Sequence, residues 1–426
     1  MPSGRDATLA RMTHPAAALA ASFDLKRLPA AFHDDPYPTF DALRTHEPVR
    51  RMPDGSVFLT RYDDVVAVYK DPKTYSSDKR EEFAPKYGDS PLFEHHTTSL
   101  VFNDPPLHTR VRRLIAGALT PRHVAAMEAG LVALVDTLLD AMQARARRGE
   151  TIELIESFAG AIPVEIIGNL LGVPHAERAP MRDWSLAILG ALEPVLSDEA
   201  RALGNRAVSE MLAYLEGLVE RRRGAPRDPE TDVLTRLIQG EVIEGGTHQQ
   251  LLAKELLHNC IFLLNAGHET TTNLIGNGLR CIHEWPDQKA RLLAEPDLAR
   301  LAVEEFLRFE SSNQLGNRIT TVATELGGVA LAPRTQVTLC IAAANRDPAM
   351  FADPGRLDIG RSPNRHVAFG SGIHQCVGMG LGRLEGRIAI GRFLARFPDY
   401  TLHGAPVRSR RVRFRGHLSL PARLIP

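Results

Sequence analysis

The sequence is short of several things, and each shortage removes a class of function. Only four cysteines occur in 426 residues, at positions 260, 281, 340 and 376. None forms a C-x-x-C pair, which argues against a zinc ribbon, an iron–sulfur module or a disulfide scaffold and fits a reducing cytoplasm. No apolar run reaches the roughly 18–20 residues of a membrane span. Charge of one sign is also missing: 51 basic residues balance 51 acidic ones, so no long-range field favours nucleic acid or an anionic membrane. The start, "MPSGRDATLARMTHPAAALAASF", has alanines interrupted by Pro15 but not the apolar core of a cleaved signal. Residues 1–34 therefore read as a poorly ordered end. With no repeat, linker or low-complexity segment, 35–426 reads as one large domain.

Helical periodicity is what the chain does have. Apolar residues recur at three- and four-residue intervals over 123–149 and 203–226. The run 247–286 is apolar on several faces in its middle, so it predicts a long helix through the protein centre. Further helices are expected after Pro286 and over 297–310. Strand signals are few. A hairpin is expected over 49–61, turning at Pro53-Asp54-Gly55, and alternation marks 328–342 and 411–421. The stretch from Tyr75 to Asp104 has no clean period and reads as a long loop, usually a functional lid. The expected fold is mainly α with small β-sheets.

One segment breaks the pattern. "HVAFGSGIHQCVGMGLGRLEG" (366–386) has glycines at 370, 372, 378, 380, 382 and 386, and ordering that many glycines is entropically expensive. Neither the dinucleotide nor the P-loop spacing is met. His374-x-Cys376 offers two ligands with no second pair, too few for zinc. A helix after Cys376 would favour a thiolate at its N-terminus, and the early glycines let backbone amides approach the sulfur. A lone thiolate held in this way suits a heme iron; an inert buried cysteine is the plain alternative.

Phe369-x-x-Gly372-x-His374-x-Cys376-x-Gly378 resembles the heme-binding signature of the cytochrome P450 superfamily, in its soluble bacterial type. The resemblance covers most of the chain after about Asp35. It implies heme b with Cys376 as the axial thiolate, cradled by Phe369, Gly370 and Gly378, between the long central helix and the cysteine-loop helix. "AGHETTT" (266–272) resembles the family's Ala/Gly-Gly-x-Asp/Glu-Thr motif on the central helix. Three β-branched threonines are locally unfavourable there, which marks a functional position. By resemblance Thr270 holds dioxygen or its water, Glu269 relays protons, and Ala266 stands beside the cofactor. With Gly267, Ala266 is expected to open room beside the helix. Back-bonding of the threonines to the preceding turn is the structural alternative.

Glu305-x-x-Arg308 alone is an ordinary i,i+3 pair. It resembles the family's Glu-x-x-Arg motif, which implies a buried cluster with a further arginine, here Arg361. His108 and Arg112 on one helical face, with Arg318 and His374, resemble the family's propionate binders. His366 is a further candidate, with backbone capping as its alternative. Arg110, Arg113 and Arg122 read either as a solvated face or as a dock for an acidic electron donor. The five arginines from Arg408 to Arg415 read as solvated, and Cys260, Cys281 and Cys340 as core. The chain departs from the family in "SSNQLGNR" (311–318), which lacks the usual proline; Asn313 and Gln314 read as turn chemistry there, or as amides for a polar substrate group. By resemblance the substrate pocket is lined from 75–103, 178–200, the central helix before Ala266, 315–319 and 416–418. Candidates are Phe83, Leu92, Phe93, Leu263, Leu315 and Leu418.

The expected activity is a heme-thiolate monooxygenase. It would insert one oxygen atom of O2 into a hydrophobic small molecule by hydroxylation, epoxidation or O-demethylation. Electrons would come from a separate ferredoxin or flavodoxin and its NAD(P)H-dependent reductase, since the chain carries no flavin or iron–sulfur module. The alternatives are a peroxide-using peroxygenase, against which the Glu269-Thr270 pair speaks, and a non-catalytic heme-thiolate ligand sensor.

Overall fold

A helix from Ala253 to Glu284 runs through the middle of the molecule; its 32 residues span about 48 Å at the α-helical rise. The computed structural model describes residues 15–230, 232–240, 243–244, 247–248 and 251–425. The helix starts later than its periodicity suggests, because a short strand pair, Ile243–Glu244 with Thr247–His248, precedes it. The Leu252 N–H donates to Glu255 Oε2 at 2.9 Å, capping the first turn, and Trp285-Pro286 ends the helix and starts the next.

Two cores meet on this helix. Leu256, Cys260, Ile261, Leu263 and Leu264 pack with the helices Met181–Gly190 and Asp198–Gly224. Leu274, Ile275, Leu279 and Ile282 pack instead with Leu384, Ile388 and Ile390 of the terminal helix Met379–Arg396. The change of partner falls across "AGHETTT". Between His258 and Leu279 every residue is buried except Phe262, Ala266, Gly267 and Thr270, which keep partial exposure. Positions 262, 266 and 270 are four apart, so one stripe of an otherwise enclosed helix faces open space.

Away from this centre lies a five-stranded sheet in the order Val49–Arg51, Val57–Leu59, Gln336–Cys340, Leu315–Thr320, Tyr75–Ser76. The expected hairpin is its edge, and Val57–Leu59 pairs in parallel with Gln336–Cys340. Cys260, Cys281 and Cys340 are buried.

Four expectations change. Residues 15–34 are not loose: helices Pro15–Ala21 and Ala30–Asp34 bury Ala20 and Phe32, and the segment between them buries Phe23, in one cluster with Phe40 and Phe58. Residues 1–14 lie outside the described residues. The stretch 75–104 is not a loop but two helices, Arg80–Tyr87 and Pro91–Thr98, followed by a 3-10 turn. The helix over 123–149 is broken at Met127 into Pro121–Ala126 and Glu128–Ala146. Finally, 411–416 is not strand; pairing resumes at His417–Ser419 and Pro421–Arg423.

Candidate active site

The chain turns sharply into the terminal helix at Cys376. Gly370 and Gly372 hold φ of +67° and +69°, and a Cβ on Gly372 would stand 2.1 Å from the Tyr69 carbonyl oxygen. Only glycine fits both constraints there. The Cys376 N–H donates to the Phe369 carbonyl at 2.8 Å, closing the loop around the thiol. Burial raises the thiol's pKa, while the Gly378 N–H, Arg112 and Arg383 pull it down. Yet Cys376 keeps an exposed surface. A thiol that is deep among protein atoms and still accessible sits on the wall of an internal cleft.

Four basic side chains gather beside this loop. The His108 and His374 rings lie 4.1 Å apart. Arg112 Nη2 donates to the Gln375 carbonyl at 2.6 Å, and the Arg318 guanidinium lies 5.1 Å from the Tyr69 ring centre. Burial, then Arg318, His108 and Arg112, pushes His374 down to about 2. Nε2 of His374 is buried without a partner, and the His108 ring, with the Ile373 backbone beside it, leaves a ring nitrogen unpaired. The nearest acid, Asp104, is taken by Ser76 Oγ and the Ser77 N–H. So much unpaired donor capacity calls for an anion. A flat, dianionic porphyrin seated on the thiol fits this donor set.

His366 is not part of that group. Its Nε2 meets Glu304 Oε2 at 3.1 Å and its Nδ1 accepts from the Ala368 N–H, so it caps backbone and joins a pair with Arg383, which also binds Glu304. Arg383 lies 4.9 Å from the Phe369 ring centre.

On the central helix, Thr270 Oγ1 donates to the Ala266 carbonyl at 2.7 Å, and Thr272 likewise to His268. Thr271 Oγ1 donates to Glu385 Oε2 at 3.2 Å. Glu269 is 5% exposed, and one nitrogen of Arg411 reaches both its oxygens, at 2.6 and 2.7 Å. Burial pushes the carboxyl up to about 7 against the pull of Arg411. Ala266 keeps partial exposure, but Gly267 does not open room as expected. A Cβ there would stand 1.9 Å from Ile167 Cδ1, so Gly267 lets the helix Ala161–Leu171 approach.

Glu305 and Arg308 are fully buried and form a 2.7 Å ion pair. Arg361 Nε joins Glu305 Oε2 at 3.1 Å.

The arginines of 408–415 were expected in solvent, and four are not. Arg408 and Arg415 bind Glu310, Arg411 binds Glu269, and Arg413 donates to the Leu315 carbonyl and Asn317 Oδ1. Arg110 turns onto Glu255, whereas Arg113 and Arg122 are exposed. Gln314 Nε2 donates to the Ser311 carbonyl, which is turn chemistry. Among the pocket candidates, Phe83, Leu92, Phe93 and Leu263 share one apolar cluster. Leu315 packs instead with the N-terminal helices, and Leu418 is 60% exposed. Phe414, from the same terminal segment, is a buried member of the cluster. Sequence reasoning missed Arg411, Phe414 and Glu385; an acid in a buried helix demands a counter-charge, and that demand was the available signal for Arg411.

A family model described as Cytochrome P450 matches residues 48–410. The biotin biosynthesis cytochrome P450 of Bacillus subtilis is 34% identical over 87% of this chain and 91% of its own length. The cytochrome P450 monooxygenase PikC of Streptomyces venezuelae is 38% identical over 90% of this chain and 89% of its own. Among solved structures, P450BioI in complex with hexadec-9Z-enoic acid ligated acyl carrier protein superposes with a TM-score of 0.85 at 32% identity, covering 93% of this chain and 100% of that one.

Proposed function

The chain belongs to the cytochrome P450 family of heme-thiolate monooxygenases, and from that premise we propose that Cys376 is its axial ligand and that it oxygenates a hydrophobic small molecule. The observation that carries this reading is the accessible Cys376 thiol, deep in the molecule, beside four basic side chains and unpartnered imidazole nitrogens. Heme b, when bound, supplies reductive activation of O2 and transfer of one oxygen atom. His108, Arg112, Arg318 and His374 would hold its propionates by charge-assisted bonds. Thr270, whose hydroxyl donates a hydrogen bond to the Ala266 carbonyl, keeps acceptor lone pairs for a water. Glu269, titrating at about 7, can hold or release a proton at neutral pH. Electrons come from a separate ferredoxin or flavodoxin and its reductase.

The ferrous–carbonmonoxy spectrum tests the assignment. The intact protein should show the strongly red-shifted Soret band of thiolate ligation, and Cys376→Ala should lose it; a variant that keeps the band removes Cys376 from the role. Thr270→Ala should retain heme but divert reducing equivalents into hydrogen peroxide. Unchanged coupling, measured as product formed per NAD(P)H consumed, excludes Thr270 from proton handling.

A further inference from the structure

Arg411 is held by both arms of its guanidinium. Nη1 reaches both oxygens of Glu269, at 2.6 and 2.7 Å, and Nη2 donates to the Leu186 carbonyl, at 2.8 Å. Gly190 leaves room for that second arm, since a Cβ there would stand 3.3 Å from Nη2. The backbone just after Arg411 is fixed as well. The Val412 and Arg413 N–H groups donate to the Glu193 carboxylate, at 2.8 and 3.3 Å. Residues 411–413 belong to no strand. Contacts with the helix Met181–Gly190 and the turn after it therefore aim this side chain at the central helix.

The pair joins a buried acid to a cation that still meets water: the Glu269 side chain is 6% exposed and that of Arg411 22%. A buried carboxylate without a counter-charge takes up a proton. Among the described residues no other cation pairs with Glu269. The charges that act on it are few. Burial and Glu193 raise its pKa, and Arg411 is the one neighbour that favours the charged form. His268, beside it on the helix, is pushed down to about 4 by burial, Arg182 and Arg411, so it is uncharged at neutral pH. Glu385, the other buried acid bound to this stretch, takes Thr271. With the carboxyl at about 7, its two forms stand near balance, and the position of one guanidinium tips them.

We propose that Arg411 is the positioning residue of Glu269: it holds that carboxyl in one orientation and governs whether it carries its proton. The inference rests on the reading of Glu269 as proton handler above, and deepens it by naming the residue through which the proton is controlled. Arg411 acts through Glu269 alone.

The test follows the carboxyl directly. Infrared difference spectra of the holoprotein, recorded from about pH 5 to about pH 10, contain the C=O band of each buried protonated acid. The band lost in Glu269→Gln belongs to Glu269, which separates it from Glu385. Arg411→Met should raise the midpoint of that band by about one pH unit or more, the effect of removing an opposite charge in contact. Arg411→Lys keeps the charge and should stay within about half a unit of the intact protein. Should Arg411→Met fail to fold, Arg411→Gln, a donor without charge, should move the midpoint the same way. A midpoint that stays in place without the guanidinium charge, or moves equally in Arg411→Lys, overturns the proposal. The second readout uses O2 as its probe. The holoprotein is reduced with dithionite and mixed with O2, and the return of the ferric spectrum is timed against pH. The inflection of this profile should follow the infrared midpoint from variant to variant and vanish in Glu269→Gln. A residue that merely braces the segment would change the rate at every pH and leave the inflection where it was, which also overturns the proposal. A flat profile in the intact protein, beside a band that does shift, instead removes Glu269 from proton handling and upholds the hold of Arg411 on it.

Discussion

Glu385, on the terminal helix, is 2% exposed and has Thr271 Oγ1 as its hydrogen-bond donor, with Oε1 unpaired. Burial pushes its carboxyl up to about 8, with the Thr271 bond pulling the other way. An unfolded chain releases this proton in the ordinary carboxylate range, so between that range and about 8 only the folded state retains it. Stability from this group is therefore full at low pH and is lost as pH rises through 8. Glu385→Gln should raise the melting temperature more at about pH 9 than at about pH 5, by a difference worth about 2–4 kcal/mol. An equal change at both pH values would mean that the carboxyl ionises normally in the fold. Residues of this kind were invisible in the sequence because their partners are remote. Cys376 and the acid–alcohol pair stand in short local motifs that resemble a family's, whereas Arg411 meets Glu269 across 142 positions and His366 meets Glu304 across 62. No local pattern encodes either contact.

Elements were legible in proportion to their length. The central helix repeats its apolar residues over many turns, and the structure departs from the expectation at its start. The helices Arg80–Tyr87 and Pro91–Thr98 have eight residues each, about two turns, so a 3.6-residue period has nothing to repeat. Pro85 within the first and burial on several faces of the second blur the pattern further. The 411–416 segment alternates like a strand, but its arginines are drawn to acids and carbonyls on three other segments. The cysteine loop is the opposite case, since its geometry admits one residue type at Gly372. Gly372→Ala adds a Cβ 2.1 Å from a backbone oxygen at a positive φ, which should cost at least about 2 kcal/mol. The loop must then move, and with it Cys376. The expected result is a purified protein with reduced heme content and a weakened carbonmonoxy band, while far-ultraviolet circular dichroism stays helical. Full heme occupancy in Gly372→Ala would show that the loop tolerates a different path.

At the scale of the whole molecule, the Glu305 cluster links parts that sequence separates. Glu305 accepts from Arg308, Arg361, the Asp358 N–H and Asn364 Nδ2. Arg308 also donates to the carbonyls of Asn345, Pro354 and Arg356. One helix, Ala299–Phe309, thereby fixes the 345–364 coil that leads into the cysteine loop. Hydrophobic packing cannot substitute here, because that coil must satisfy its backbone carbonyls without regular pairing. Taking a partner from a buried ion cluster strands the remaining charges, at about 3–5 kcal/mol. Glu305→Gln strands two guanidiniums, whereas Arg361→Gln leaves Glu305 its fully buried partner Arg308, and the Arg361 side chain is 12% exposed. Urea denaturation should therefore rank Glu305→Gln well below Arg361→Gln in stability, with heme released at the same urea concentration as helicity is lost. A surface-like cluster would instead give two small and similar losses. If helicity outlasted heme in Glu305→Gln, the cluster would organise the cysteine loop locally and not the fold as a whole.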